Sequence, residues 1–380
     1  MNIALALSGG GHRAAAFHLG VLQFLAEKRL LENVEVVSSI SGGSILAAIL
    51  FQPSSMQNNE ALAWPSSDEF LIAYLPQAKA LIVNESLENQ FIKRMLRPTN
   101  WLKFGHRANL MADTIESLWG ITKRMKDLPT KPSWIINGTS NVSGNRWFVR
   151  KTVDCQMGSD DIGFADASDF LIADAVALSA AYPGVIGPYR LDSQKFAWEY
   201  AEGFEDNQGL LQSKKGVYLS DGGLYDNLGI EPLFNLEQSS LRYPNTDFLI
   251  VSDAGSGLKR QSLAPVWRPL LRTIRLINVI NQQVRALRLR SLSAFFKRNA
   301  EKGVQISMGI SFEQWKKERL SSGKTIPKKL SDHPFLSSAN VKLAKNTPTS
   351  LASLSPEQFE RLLRHGYESA LIQFSLFDRQ

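Results

Sequence analysis

Two stretches decide the reading of this chain: Ile3-Ala4-Leu5-Ala6-Leu7-Ser8-Gly9-Gly10-Gly11-His12-Arg13 and Val34-Glu35-Val36-Val37-Ser38-Ser39-Ile40-Ser41-Gly42-Gly43-Ser44. Each begins as a short apolar run that glycines then break. After the first, a helix from about Arg13 to Lys28 carries Ala14, Ala15, Ala16, Phe17, Leu19, Val21, Leu22, Phe24 and Leu25. It is apolar nearly all round and belongs inside a domain. After the second, Ser41-Gly42-Gly43-Ser44 opens another apolar helix that runs through Leu50. Strand, tight glycine turn and helix, twice in succession, predict an α/β protein: a three-layer sandwich with a central, mostly parallel sheet flanked by helices.

Farther along, Trp134–Gly138, Trp147–Val153, Val217–Ser220, Phe248–Ser252 and Gly303–Ile310 read as strands. Phe170–Ala181, residues 267–298 and Pro356–Phe374 read as helices, with Leu110–Trp119 inside a looser region. The expected organisation is one domain over 1–310, in which 53–131 is a helical insertion or a lid. A helical extension, 311–380, packs on it.

Composition excludes several classes. Hydrophobic residues are 44% and charged residues 21% of 380, which rules out wholesale disorder. One cysteine, Cys155, excludes an internal disulfide framework and a Cys-based zinc cluster. It fits a reducing compartment, so the cytoplasm, or the inner face of a membrane, is the expected location. No apolar run approaches the ~18–20 residues that span a bilayer. The formal charge is +7, unevenly spread: Lys259 to Leu330 holds seventeen Lys/Arg against three acids. That asymmetry suggests an anionic partner such as membrane headgroups or nucleotides, or else a solvated basic face. If 267–298 is one helix, Arg268, Arg272, Arg275, Arg290 and Lys297 share a face. Trp267, Phe295 and Phe296 are then either interfacial or core.

The chemistry starts at Gly9-Gly10-Gly11. Free amides at a helix start hold negative charge, which suits either a bound phosphate or an oxyanion. Gly9-x-Gly11-x-x-Ala14 formally satisfies a dinucleotide fingerprint, which needs an acid at the end of the second strand. That strand ends in serines, with Glu32 and Glu35 at its start. A nucleotide-binding or non-catalytic module is therefore the lesser alternative. Ser39-Ile40-Ser41-Gly42-Gly43 sits where a nucleophile elbow would, with Ser41 central, Gly43 at one small position and Ser39 replacing glycine at the other. A plain helix N-cap is the bland reading of the same residues. A serine needs a base. His333 and His365 lie late enough for a Ser-His-Asp esterase, though each reads as a surface residue. Asp221, in Asp221-Gly222-Gly223 directly after a strand, is the better candidate, because partial burial raises a carboxylate toward working pH.

Gly9-Gly10-Gly11-His12-Arg13, the elbow at Ser41, Ser179-Ala180-Ala181-Tyr182-Pro183 and Asp221-Gly222-Gly223, in that order, resemble the patatin-like phospholipase family. The resemblance covers residues 1 to about 230. It implies a Ser41–Asp221 dyad without histidine, metal or cofactor, and an oxyanion hole built from Gly9, Gly10 and Gly11. It places at Arg13 a basic residue that orients the loop or binds phosphate. It also implies a phospholipid or other acyl-ester substrate and transient contact with a membrane surface. An anionic activator or regulatory partner is an expectation of the same kind. Nucleic acid is not expected, since no recognition motif accompanies the charge.

Overall fold

In the computed structural model, which describes residues 1–53, 61–200, 208–258, 263–265 and 267–377, the opening apolar run is β1 (Ile3–Leu7), with every side chain buried. The other strands in chain order are β2 (Val34–Ser39), β3 (Ser133–Ser140), β4 (Arg146–Lys151), β5 (Cys155–Ser159), β6 (Gly163–Asp166), β7 (Tyr189–Leu191), β8 (Trp198–Glu199), β9 (Val217–Asp221), β10 (Phe234–Asn235), β11 (Ser240–Leu241), β12 (Phe248–Asp253) and β13 (Gly303–Ser307). The main sheet runs β13-β12-β1-β2-β3-β4-β5-β6-β8, with β9 added on β3 and β7 on β9; β10 and β11 form a separate ribbon. From β13 to β3 the pairing is parallel. From β3 through β8 it is an antiparallel meander. Sequence reading captured the parallel half. It missed β5 and β6, whose short runs contain Gly, Ser and Asp and lack a clean apolar alternation.

The sheet is covered on both faces because β1 alternates. Ile3, Leu5 and Leu7 enter the larger core with helices α1 (Gly11–Glu27) and α2 (Gly42–Phe51), while Ala4 and Ala6 enter a second core with Phe234, Leu292 and Phe295. Further helices used below are α3 (Leu87–Met95), α4 (Ala108–Trp119), α5 (Ile172–Ser179), α6 (Pro269–Arg298) and α7 (Pro356–Phe374). All of α1 except Gln23 and Glu27 is buried. It crosses α7 where both helices carry glycine: a Cβ at Gly20 would lie 1.8 Å from Leu363 O, and one at Gly366 2.0 Å from Phe17 O.

That crossing corrects one expectation. His365 is buried, not on an exposed face, because Gly366 lets α1 approach; its Nε2 accepts the Gly309 N–H at 2.8 Å. Burial lowers its pKa to about 4, so the ring is neutral. Segment 53–131 is helical over much of its length. Its Phe70, Tyr74, Ile82, Phe91, Leu110 and Ile115 belong to the larger core; residues 54–60 of it lie outside the described residues. Among the described residues no helix is long and apolar enough to cross a membrane.

Candidate active site

β2 and β9 bring the two key turns together by sharing one edge of β3. β2 runs parallel to β3 and ends with Ser39 opposite Ile136. β9 runs antiparallel and ends with Asp221 opposite Gly138. The two strands therefore point at each other, their last residues two positions apart along β3, roughly 7 Å. Chain that is distant in sequence becomes adjacent through register alone.

At the end of β2, Ser41 adopts φ 49°, the left-handed backbone seldom populated by residues other than glycine. Such a conformation costs on the order of 1–3 kcal/mol and persists only where its surroundings impose it. Three contacts do so. The Ser41 N–H donates to Ser179 Oγ at 3.0 Å, and Ser179 Oγ in turn donates to Asn137 O at 2.7 Å. Ser44 Oγ joins Ser179 Oγ and Ser39 Oγ, each at 2.9 Å, and Trp134 Nε1 donates to Ser39 Oγ at 2.9 Å. The serine standing where a glycine was expected is thus a member of a buried hydroxyl relay. Finally, Gly42 packs on the first turn: a Cβ there would stand 2.3 Å from Gly11 O and 2.7 Å from Gly11 N.

The first turn follows β1. Gly10 has φ 143° and Gly11 φ 61°. The N–H groups of Gly10 and Gly11 make no hydrogen bond among the described residues, and they sit at the positive end of buried α1. Gly9 differs from the expectation. Its N–H donates to Asn227 O at 3.1 Å, so it is already committed and is no donor for a ligand.

Asp221 is 3% exposed. Burial raises its pKa to about 6, partly offset by hydrogen bonds from the Gly223 N–H, at 2.7 Å, and from the Ser41 side chain. Block 179–183 brackets the pair: Ala181 O accepts the Asp221 N–H at 3.0 Å, and Ser179 O accepts that of Gly222 at 3.3 Å. Arg13 Nη1 donates to Ser256 Oγ (3.0 Å) and Thr347 O (3.1 Å), and its Nη2 to Ala254 O (3.4 Å). It ties the loop after β12 to the C-terminal segment behind the glycine turn. Burial brings its pKa down to about 10, which still leaves it charged at neutral pH.

A cavity of about 940 Å³ opens over these groups. Gly10, Gly11, Ser41 and Asp221 line it, as do Phe91, Ile92 and Met95 from α3, Tyr182, residues 347–351, and Ile274, Arg275, Asn278 and Arg285 from α6. None of the five histidines lines it. His333 faces Glu368 and His365 is buried against α1, so a Ser-His-Asp arrangement has no imidazole here.

The model of the patatin-like phospholipase family matches residues 5–234, a span that holds both turns and Asp221. The chain belongs to the patatin-like phospholipase family. Among solved structures, human GIVD cytosolic phospholipase A2 superposes with a TM-score of 0.52 at 12% identity, over 99% of this chain and 59% of that one. VipD from Legionella pneumophila gives 0.38 at 14% identity, over 98% and 66%. At these identities the first likeness concerns the fold. The chain spans about three fifths of the human protein's length, 59%. No curated protein matches it by sequence.

Beyond the matched span, the patatin-like domain is held by residues that sequence reading did not single out. Arg285 of α6 pairs with fully buried Asp253 at the end of β12. Arg288 pairs with Glu231 and lies 3.7 Å from Asp226, whose carboxylate caps the N–H groups of Leu228, Ile230 and Glu231 after the Asp-Gly-Gly turn. Of the aromatics read as either interfacial or core, Phe295 is core and Trp267 is 80% exposed. Arg275, grouped by periodicity with an outward face, lines the cavity. The signal was there in part: arginines at 285 and 288 lie one helical turn apart, on the α6 face that looks at two strand-end turns.

Proposed function

We propose that this protein is a serine acyl hydrolase of the phospholipase A or lysophospholipase type, cleaving fatty acyl esters of membrane lipids through Ser41 and Asp221. The observation that carries the reading is geometric: β2 and β9 end against each other on one edge of β3, so that Ser41 and the buried carboxylate of Asp221 line the same cavity beside the free amides of Gly10 and Gly11. Burial raises the pKa of that carboxylate to about 6. A carboxylate with that pKa is ionised at neutral pH, yet basic enough to take a hydroxyl proton as the bond to carbon forms.

The ester carbonyl lies between Ser41 Oγ and the free amides of Gly10 and Gly11. Oγ attacks, Asp221 takes the proton, and the carbonyl oxygen becomes an oxyanion facing the two N–H groups and the start of α1. Donors so placed are worth roughly 3–4 kcal/mol each in the transition state. Asp221 then protonates the departing alkoxide, leaving an acyl-Ser41 ester. Water repeats the sequence, with Asp221 as base, and releases the fatty acid. The strained backbone at Ser41 keeps its hydroxyl in the attacking position between the two turns.

The test is turnover of a soluble fluorogenic acyl ester, together with labelling by a fluorophosphonate. Ser41→Ala removes both turnover and label. Asp221→Asn lowers turnover by at least about 10⁴-fold, as loss of a member of a catalytic unit does. Wild-type turnover in either variant, in a protein that melts cooperatively, overturns the dyad.

A further inference from the structure

The sequence Ile92-Lys93-Arg94-Met95-Leu96-Arg97-Pro98-Thr99-Asn100-Trp101-Leu102-Lys103-Phe104-Gly105-His106-Arg107 joins α3 to α4. Its central part, Pro98–His106, is a nine-residue 3-10 helix in which no residue is buried. Trp101 is 59% exposed, Leu102 94%, Phe104 44% and Leu96 67%. The element rests on α3 and α4 through Asn100 and Lys103, and these apolar side chains stay largely uncovered. Soluble surfaces seldom leave such a patch uncovered without a use for it.

Charge says what the use is. Between Glu88 and Asp113 there is no acid, and five Lys/Arg are interleaved with the apolar side chains. Arg94 and Lys103 have partners in Ser117 and Asp113, and the Arg107 Nε–H donates to Ile186 O. Lys93 and Arg97 form no ion pair or hydrogen bond through their side chains among the described residues. Aromatic and aliphatic side chains alternating with unpaired cations match a bilayer interface with anionic headgroups, where rings enter the acyl boundary and cations stay at the phosphates. The core of a protein–protein interface is instead depleted of lysine.

Position completes the argument. Ile92, Met95 and Arg107, from the two ends of this stretch, line the cavity that holds Ser41, as does half-exposed Val185 on the neighbouring loop. We propose that residues 92–107 form the face by which the protein docks on an anionic lipid bilayer, seating the cavity mouth against the lipid. An acyl ester leaving the bilayer then meets Ile92 and Met95 before it reaches Ser41. The proposal rests on the acyl-hydrolase reading for its purpose, but its test is binding.

The full chain is sedimented with vesicles of phosphatidylcholine alone, or with about 30% phosphatidylglycerol, at low salt and at about 0.5 M salt, where screening falls to roughly 4 Å. Each Lys or Arg at an anionic surface adds roughly fivefold to partitioning. Wild type therefore binds anionic vesicles at least tenfold better than neutral ones, and salt removes the difference. Lys93→Glu with Arg97→Glu lowers anionic binding at least tenfold. Trp101→Glu with Leu102→Glu lowers binding to both vesicle types. Both double variants keep soluble-ester turnover within about twofold of wild type, since none of the four residues lines the cavity. Unchanged vesicle binding in either variant overturns the proposal. So does a variant that turns a dimer into a monomer by light scattering while vesicle binding persists, because the occupant is then a second copy. Absence of soluble-ester turnover in wild type refutes the hydrolase reading and leaves the binding result standing.

Discussion

Residues 1–51 and helix α6 serve the same cavity by opposite means. The first stretch works through its main chain: unpaired amides at Gly10 and Gly11, a strained Ser41, and a Gly42 packed against the Gly11 peptide. Its side chains are mostly small or apolar and mostly buried. Helix α6 works through long polar side chains, with Arg285 on Asp253 and Arg288 on Asp226 and Glu231, and it offers Asn278 to the Tyr182 hydroxyl at 2.7 Å. The contrast teaches that Ser41 and the glycine turn are placed by backbone contacts with no slack, whereas the loops around them are anchored by ion pairs that have some. A methyl group is expected to damage the first more than loss of a whole guanidinium damages the second.

Outside the Ser41–Asp221 pair, the largest effect tests the backbone side. Gly42→Ala places a Cβ 2.3 Å from Gly11 O and must push the two turns apart. Turnover of a soluble ester falls by about 10² to 10³, the range for loss of an oxyanion donor, with a lower melting temperature. A variant with wild-type turnover breaks the claim that main-chain contact sets the geometry.

The next effect lies between the two regions, at Asp221. With its pKa raised to about 6, the rate rises as pH passes through 6, and at pH 5 it is about a tenth of the plateau. The sign for stability is opposite. Between about 4 and 6 the folded protein binds a proton that the unfolded chain has released, so stability falls as pH rises through this window. Asp221→Asn removes the burial of that charge. It is therefore more stable than wild type at pH 8, by up to about 3 kcal/mol, and the gain disappears by about pH 4. Melting curves at pH 8, 6 and 4 read the difference. His12, His18 and His365, each lowered to about 4 by burial, act in the other direction in both proteins. They are held neutral, and the stability that this contributes is lost as pH falls from 6.5 toward 4.

The smallest effect on rate belongs to α6. Arg288→Met strips the partner from Glu231 and from nearly buried Asp226 and costs about 3 kcal/mol of stability. Because Asp226 keeps its three main-chain donors, turnover of the folded protein falls only several-fold. A loss as large as that of Gly42→Ala erases the distinction between the regions.

The parallel half of the sheet was legible because apolar runs ending in glycine have few other readings. Ser41 and Asp221 were legible as strand-end residues with glycines behind them. Three things were not. The committed amide of Gly9 depends on Asn227, more than two hundred positions away. The burial of His365 depends on a helix crossing through Gly20 and Gly366. The direction of Arg275, alone among the five basic residues grouped on one face, was not legible for a physical reason: periodicity assigns residues to one side of a helix but says nothing of what that side meets. Thus Arg275, Arg285 and Arg288 turn toward the cavity and its loops, while Arg268, Arg290 and Lys297 are exposed, and a second exposed apolar and cationic surface lies at 92–107.

The sequence by itself determined local matters: which runs extend, where glycine turns interrupt them, and which hydroxyl and carboxylate stand at strand ends. Those follow from steric and solvation preferences that act within a few residues. Only the tertiary structure decided that β2 and β9 meet end to end on β3, that two amides stay free while a third is taken, and that Asp221 is buried enough for its pKa to rise to about 6. Register, hydrogen-bond competition and desolvation all depend on chain segments brought together from far apart, and no local pattern carries them.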